Sequence, residues 1–182
     1  YLRVVLTSDG HRMRALERTD VDLLMDWENA SEDWWMGANV LPISREAMTR
    51  FVTGDHDLYR DKQLRWMLDA KDAENGWSAV GALDLYDFEP RHQRAGVAIH
   101  VRRDCRRQGH GAAGLGLLAS YAKEHLGLHQ LYAEVPADHE ASMDLFRHAG
   151  YRATGLRESW IRGVRGRWTD VQTLQLILET GE

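Results

Sequence analysis

Between an alternating apolar stretch, "AGVAIHV", and the helix-like "AAGLGLLASYAKEHL", the chain reads "RRDCRRQGHG". Gly109 and Gly111 permit a tight turn without Cβ crowding. The N–H groups of Arg107, Gln108, Gly109, His110, Gly111 and Ala112 can then converge at the start of the following helix. The positive end of the helix dipole adds to them, and Arg106 or Arg107 can make a charge-assisted contact to an oxyanion. In outline this is a phosphate cradle. A second set of residues suits a cation. Asp84 and Asp87 lie in "LDLYDF", where either carboxylate can hold an amine or pass its proton through water. The segment "WENASEDWWMGANVLP" adds Glu28, Glu32 and Asp33, with Trp34 and Trp35 offering ring faces for cation–π contact. A solvated strand end and an amphipathic helix end would carry the same residue types.

These residues need elements to position them. With 182 residues, 43% of them hydrophobic, the chain suits one compact domain over residues 1–182 with a real core. No apolar run approaches the roughly 20 residues of a membrane span, and no leader pattern opens the chain, so the expectation is a cytoplasmic protein without a membrane partner. The single Cys105 can form no internal disulfide and no thiolate zinc site. A formal net charge of −5 argues against a nucleic-acid partner. His125 and His129 are four apart, but a helix end falls between them, and no metal is expected.

The periodicities predict a strand at "HRMRALE", a helix at "RTDVDLLMDWENA" capped by Thr19, and a short helix from Ser44. "QLRWMLDA" and "WSAVGALDLY" form a hairpin across "KDAENG". "AGVAIHV" is the next strand, followed by a helix over residues 109–126, strand "HQLYAEV", helix "EASMDLFRHAG", and a last hairpin of "ATGLRESWIR" with "WTDVQTLQLIL". The order β-α-α-β-β-β-α-β-α-β-β describes an α/β domain with a mixed sheet and flanking helices.

The pattern Arg-x-x-Gly-x-Gly, at Arg106, Gly109 and Gly111 and five residues after "VAIHV", resembles the acetyl-CoA pyrophosphate loop of the GNAT superfamily of N-acetyltransferases. The strand order is similar to that family's. So is the later signature of Asn-x-x-Ser, an aromatic or apolar pair and Gly-Phe, which here falls on His139, Ser142, Leu145, Phe146, Gly150 and Tyr151. The likeness runs from "MRALERTDVDLL" to "DVQTLQLI" and is strongest to the bacterial spermidine or diamine N-acetyltransferases and the ribosomal-protein acetyltransferases.

The resemblance implies a mostly antiparallel sheet in which residues 97–101 splay from residues 131–135. The pantetheine arm of acetyl-CoA would lie in that gap against Ile99, His100 and Val101, with His139, Ser142 and Phe146 also near the cofactor. It implies direct attack by a primary amine in a ternary complex, with a polyamine or diamine as leading acceptor. It also implies departures from the family. Gly96 stands where the polyamine enzymes place a glutamate base, and Phe146 where they place a tyrosine acid. The acid is left to water or Ser142, or unassigned; Phe146 packs against pantetheine or the core. Asp84, Asp87 and, second to them, Glu134 remain as bases. Two other readings stay open: acetylation of a protein N-terminus or another small amine, and an acyl-CoA-binding regulator without turnover. The oligomeric state is open too, with a homo-oligomer compatible.

Overall fold

The computed structural model describes residues 4–30, 41–72, 76–163 and 166–178. The chain opens with a hairpin, β1 (Val4–Ser8) and β2 (His11–Arg14), closed by Asp9 and Gly10 with φ of 44° and 76°. Two consecutive left-handed residues are what a tight two-residue hairpin demands, and Asp-Gly supplies them. Strand β1 was not expected from the sequence, although this dipeptide is its signal.

A 3-10 turn, Arg18–Asp20, leads into helix α1 (Val21–Glu28). Thr19 does not cap it. The turn begins at Glu17, whose N–H donates to Asp20 Oδ2 at 2.8 Å. The same carboxylate also takes two donors from Arg14 at 2.8 and 2.9 Å, so the buried ion pair decides where the helix starts. Helix α2 (Arg45–Thr53) is capped by Ser44, which accepts the Ala47 N–H. The four-residue α3 (Leu58–Asp61) follows, and it too was not expected.

Strands β3 (Leu64–Asp72), β4 (Gly76–Glu89) and β5 (Arg94–Val101) form an antiparallel meander. Then come α4 (His110–Glu124), β6 (Gln130–Pro136), α5 (Glu140–His148), β7 (Arg152–Arg162) and β8 (Trp168–Ile177). They complete an eight-stranded sheet in the order β1-β2-β3-β4-β5-β6-β8-β7, with β5 and β6 parallel and every other pairing antiparallel. One face carries α4 and α5 over Leu68, Leu83, Leu85, Val97, Leu131 and Leu174. The other carries α1 and α2, whose Val21, Leu24, Met48 and Val52 cover Met67 and Ala82. The period-2 alternation of β3 to β6 therefore assigns each side chain to one of two helical layers.

The parallel pairing is short. Only Arg94, Ala95 and Gly96 pair with Gln130, Leu131 and Tyr132. Beyond them β5 stays on β4 as far as Val101, while β6 stays on β8 as far as Pro136. The splay anticipated for residues 97–101 is present, starting one residue past Gly96.

Arg14 reaches Asp69 Oδ2 at 2.8 Å as well as Asp20, and Arg12 meets the same oxygen at 2.8 Å. Asp69 is only 2% exposed, so this cluster ties β2, β3 and the entry to α1 together out of water. Removing one member leaves buried charge uncompensated. Arg14→Ala is expected to lower unfolding free energy by about 3–5 kcal/mol. In urea the midpoint should drop with an unchanged slope; an unmoved midpoint would show the cluster to be dispensable.

Candidate functional site

Gly109 is the N-cap of α4, with φ of +84°, and makes no side-chain cap. Arg107 is also left-handed, at φ of 61°. The first bond inside the helix runs from the Ala113 N–H to the Gly109 carbonyl at 3.1 Å. The N–H groups of His110, Gly111 and Ala112 therefore have no helical acceptor and point out of the helix end. The loop is braced behind them. Gln108 donates to the Asp104 carbonyl at 3.0 Å, and Arg106 Nε turns back to the last carbonyl of β5, Val101, at 3.0 Å. The Arg107 side chain is exposed. Buried Cys105 fills a core position beneath, where burial pushes its thiol pKa up. His110 Nδ1 lies 2.8 Å from His11 Nε2, and burial, then His11, hold its pKa below the usual imidazole value. The residues present fit a phosphate group: a ring of donors, an open N-cap and an exposed arginine.

From this cradle β5 leads back to the splay. Its edge away from β4 carries no strand beyond Gly96. Ile99 and Val101 turn toward the α4 core, while His100 turns to the opposite face, its ring 4.8 Å from that of Trp27. At the far wall, His139 Nδ1 accepts the Ser142 N–H at 3.0 Å and so caps α5. Phe146 is 3% exposed and meets Tyr151 edge-to-face at 5.0 Å. It packs in the core, one of the two places, pantetheine or core, read for it from the sequence.

The acidic candidates lie on the α1 and α2 face. Glu28 and Asp84 do come together, but around a guanidinium. Arg65 Nε and Nη2 fork onto the two Asp84 oxygens at 2.7 and 3.0 Å, and its Nη1 reaches Glu28 at 2.5 Å. Asp84 thus anchors Arg65 and does not stand open as a base. The sequence reading missed Arg65, which the β3–β4 register sets directly opposite Asp84. Asp87 sits on the β4 bulge at φ of 47° and accepts the Tyr132 hydroxyl at 3.1 Å. Glu134 shares this face and is paired with Arg157 of β7. Trp34, with Glu32, Asp33 and Trp35, lies outside the described residues.

Two tyrosines complete the gap, and neither was singled out in the sequence. The Tyr86 ring lies on the backbone of Gly96, where any Cβ would run into it. It meets the Tyr132 ring edge-to-face at 5.8 Å. Burial, then Tyr132 and the neighbouring carboxylates, push the Tyr86 pKa well up, and burial and the bond to Asp87 push Tyr132 up to about 12. Both phenols keep their protons at neutral pH. The space beside Gly96 is occupied by a neutral phenol from the neighbouring strand.

The model for the acetyltransferase (GNAT) domain matches residues 12–152. Among solved structures, the Vibrio cholerae spermidine N-acetyltransferase in complex with CoA and spermine is 17% identical, with 94% of this chain and 97% of that one covered at a TM-score of 0.76. The ribosomal L7/L12 alpha-N-protein acetyltransferase in complex with coenzyme A is 18% identical, with 97% and 98% covered at a TM-score of 0.78. No curated protein sequence matches the chain.

A Cβ at Gly109 would meet nothing within 4 Å, so crowding inside the protein is not what requires glycine. The positive φ is, together with the open space a ligand would fill. Gly109→Val is expected to lose coenzyme A binding by calorimetry, with backbone strain costing about 1–2 kcal/mol of stability. A folded variant that binds as well as the parent would remove the cradle assignment.

His110 supplies a pH signature. Its folded pKa is lowered, so the stabilisation it gives is present above the unfolded pKa near ~6.5 and is lost as pH falls through the folded value. His110→Gln should flatten the fall in melting temperature below that pH; an identical pH profile in the variant would contradict it.

Proposed function

The chain belongs to the GNAT acetyltransferase family, and we propose that its acceptor is a small primary amine, a polyamine or diamine before others. It is an N-acetyltransferase, and its acetyl donor is acetyl-CoA, which supplies the acyl group as an activated thioester. The α4 N-terminus with Gly109 and Gly111 suits the pyrophosphate, and the unpaired β5 edge at residues 97–101 suits the amides of the pantetheine arm, as an added strand would be held. An N–H on that edge is placed to polarise a carbonyl in the gap.

The observation that carries the acceptor reading is Asp87. An alkyl amine with a pKa near ~10.4 arrives protonated and must lose that proton before it can attack. Asp87 is the acidic candidate of this face outside the Arg65 and Arg157 pairs, and it stands at the gap's edge, bonded to the Tyr132 hydroxyl. It can attract the ammonium and receive its proton, directly or through water. Tyr86 and Tyr132 line the approach with neutral hydroxyls and ring edges that exclude water without adding charge.

Arg65 favours a second reading. By neutralising much of Glu28 and Asp84 it weakens the site for a dication and leaves one suited to a single ammonium, such as a protein N-terminus. A regulator without turnover is less well supported, since the gap keeps hydroxyls in place of the missing family residues. The cytoplasm is the proposed compartment, on the strength of the unpaired, buried Cys105; no helix among the described residues is long and apolar enough to cross a membrane.

The test compares spermidine, putrescine and an N-terminal peptide as acceptors for the parent and for Asp87→Asn. On the first reading the variant raises KM for the diamine on the order of ten-fold with acetyl-CoA binding unchanged. A fall in kcat as well assigns proton removal to Asp87. Acetylation of the peptide alone moves the second reading ahead.

A further inference from the structure

We propose that Arg65 sets the selectivity of the acceptor site by withholding Glu28 and Asp84 from any second positive charge the acceptor carries. The inference rests on a primary amine reaching a thioester in the β5–β6 gap, and it holds for a free amine and for a protein N-terminus alike.

Among the described residues, the gap is open to an acceptor from one side. On the α4 and α5 side Val97, Leu131, Ala133 and Val135 are buried in the core. On the other side Ala98 and Glu134, which border the gap from β5 and β6, are exposed. Residues directly opposite one another in a ladder share a face. The register therefore lays Arg65, Asp84 and Ala98 in one row across β3, β4 and β5. The next place in that row would belong to β6, but the β5–β6 ladder has already ended at Gly96. The row runs out into the gap, with the Ala98 methyl as the side chain between Asp84 and the opening. One strand spacing, ~4.8 Å, is a span that a four-carbon chain covers. An amine with its nitrogen in the gap thus brings its far end to the trio of Arg65, Asp84 and Glu28.

What that far end meets is decided by Arg65. Its fork onto both Asp84 oxygens and its third bond, to Glu28, fill the space between the two carboxylates, the place an ammonium would otherwise take. Phe51 of α2 backs the guanidinium, its ring centroid 5.8 Å from Cζ. A guanidinium so held cannot swing away, and it does not shed its proton at any working pH. One guanidinium against two carboxylates leaves the trio a formal charge of −1, and without Arg65 it would be −2. Each member is about a quarter exposed, so water screens that difference only in part.

Three acceptors of matched length read this charge: putrescine, n-butylamine and 4-aminobutanoate, whose far ends are an ammonium, a methyl group and a carboxylate. For the parent, Arg65→Gln, Arg65→Lys and Glu28→Gln, kcat/KM of each charged acceptor is taken relative to butylamine at saturating acetyl-CoA. Arg65→Gln should raise the putrescine ratio and lower the aminobutanoate ratio, each by about ten-fold, and both shifts should shrink as salt is added. Arg65→Lys keeps the charge and should stay near the parent in both ratios. Glu28→Gln removes a negative charge with Arg65 in place and should move both ratios the opposite way, so the test survives an Arg65→Gln chain that does not fold. A merely structural Arg65 would change all three acceptors together and leave the ratios fixed, which overturns the proposal. A parent that acetylates none of the three refutes the small-amine reading instead. The same ratios are then read on N-terminal peptides with Lys, Leu or Glu as second residue, and a parent inactive toward these as well removes the acceptor site and this inference with it.

Discussion

The chemistry of this fold depends on where β5 and β6 stop pairing. Each is committed to a longer antiparallel partner, β5 to β4 up to Val101 and β6 to β8 over seven residue pairs. Their parallel ladder, the weaker kind per residue, has three. A twisted sheet cannot satisfy both long commitments and continue the short one, so the strands part after Gly96 and expose one edge each. An unpaired edge within a sheet is costly unless something fills it. Here side chains fill the head of the opening, and an extended ligand with amides of its own is the natural occupant of the rest.

The same geometry sorts charge. Donors at the α4 N-terminus gather positive potential at one end of the gap, where Gly109 leaves the approach clear. Carboxylates gather at the other end, on the α1 and β4 side, but not as an open acidic patch. Arg65 is forked onto Asp84 and bonded to Glu28, each member about a quarter exposed. Such a trio fixes α1 against the β3–β4 hairpin more than it advertises charge. On the proposed reading, recognition of the acceptor falls to groups outside this trio, above all Asp87.

Much of this was legible in the sequence and some of it was not, for definable reasons. The glycine turn that opens α4 was readable because its signal is local: glycines at fixed offsets between a strand and a helix. The strands of the meander and the final hairpin were readable from alternation. Alternation gives a side chain's face but not its cross-strand partner, so Asp84 looked like an open carboxylate until the register brought Arg65 opposite. Tyr86 escaped for a related reason, since its importance lies in the Gly96 backbone it covers on the next strand. Thr19 looked like a cap because Arg14, which draws on Asp20 from six residues back, is held in place by Asp69 of a distant strand. The Asp9-Gly10 turn was local and could have been read, which would have recovered β1.

At the parting of the strands Tyr86 and Tyr132 present neutral hydroxyls rather than carboxylates. A carboxylate held at the parting of the strands would be desolvated, and it would either bind a proton or need a cation beside it. A glutamate at position 96 would meet that problem and would also have to displace the Tyr86 ring. A buried phenol meets the opposite condition, because desolvation strengthens its hold on its proton and keeps it uncharged and able to donate. Gly96 and Tyr86 are then one solution and not a loss: the parting of the strands is closed by a ring with a neutral hydroxyl, and full charges stay at the α4 N-terminal loop and at the partly exposed Glu28, Arg65 and Asp84.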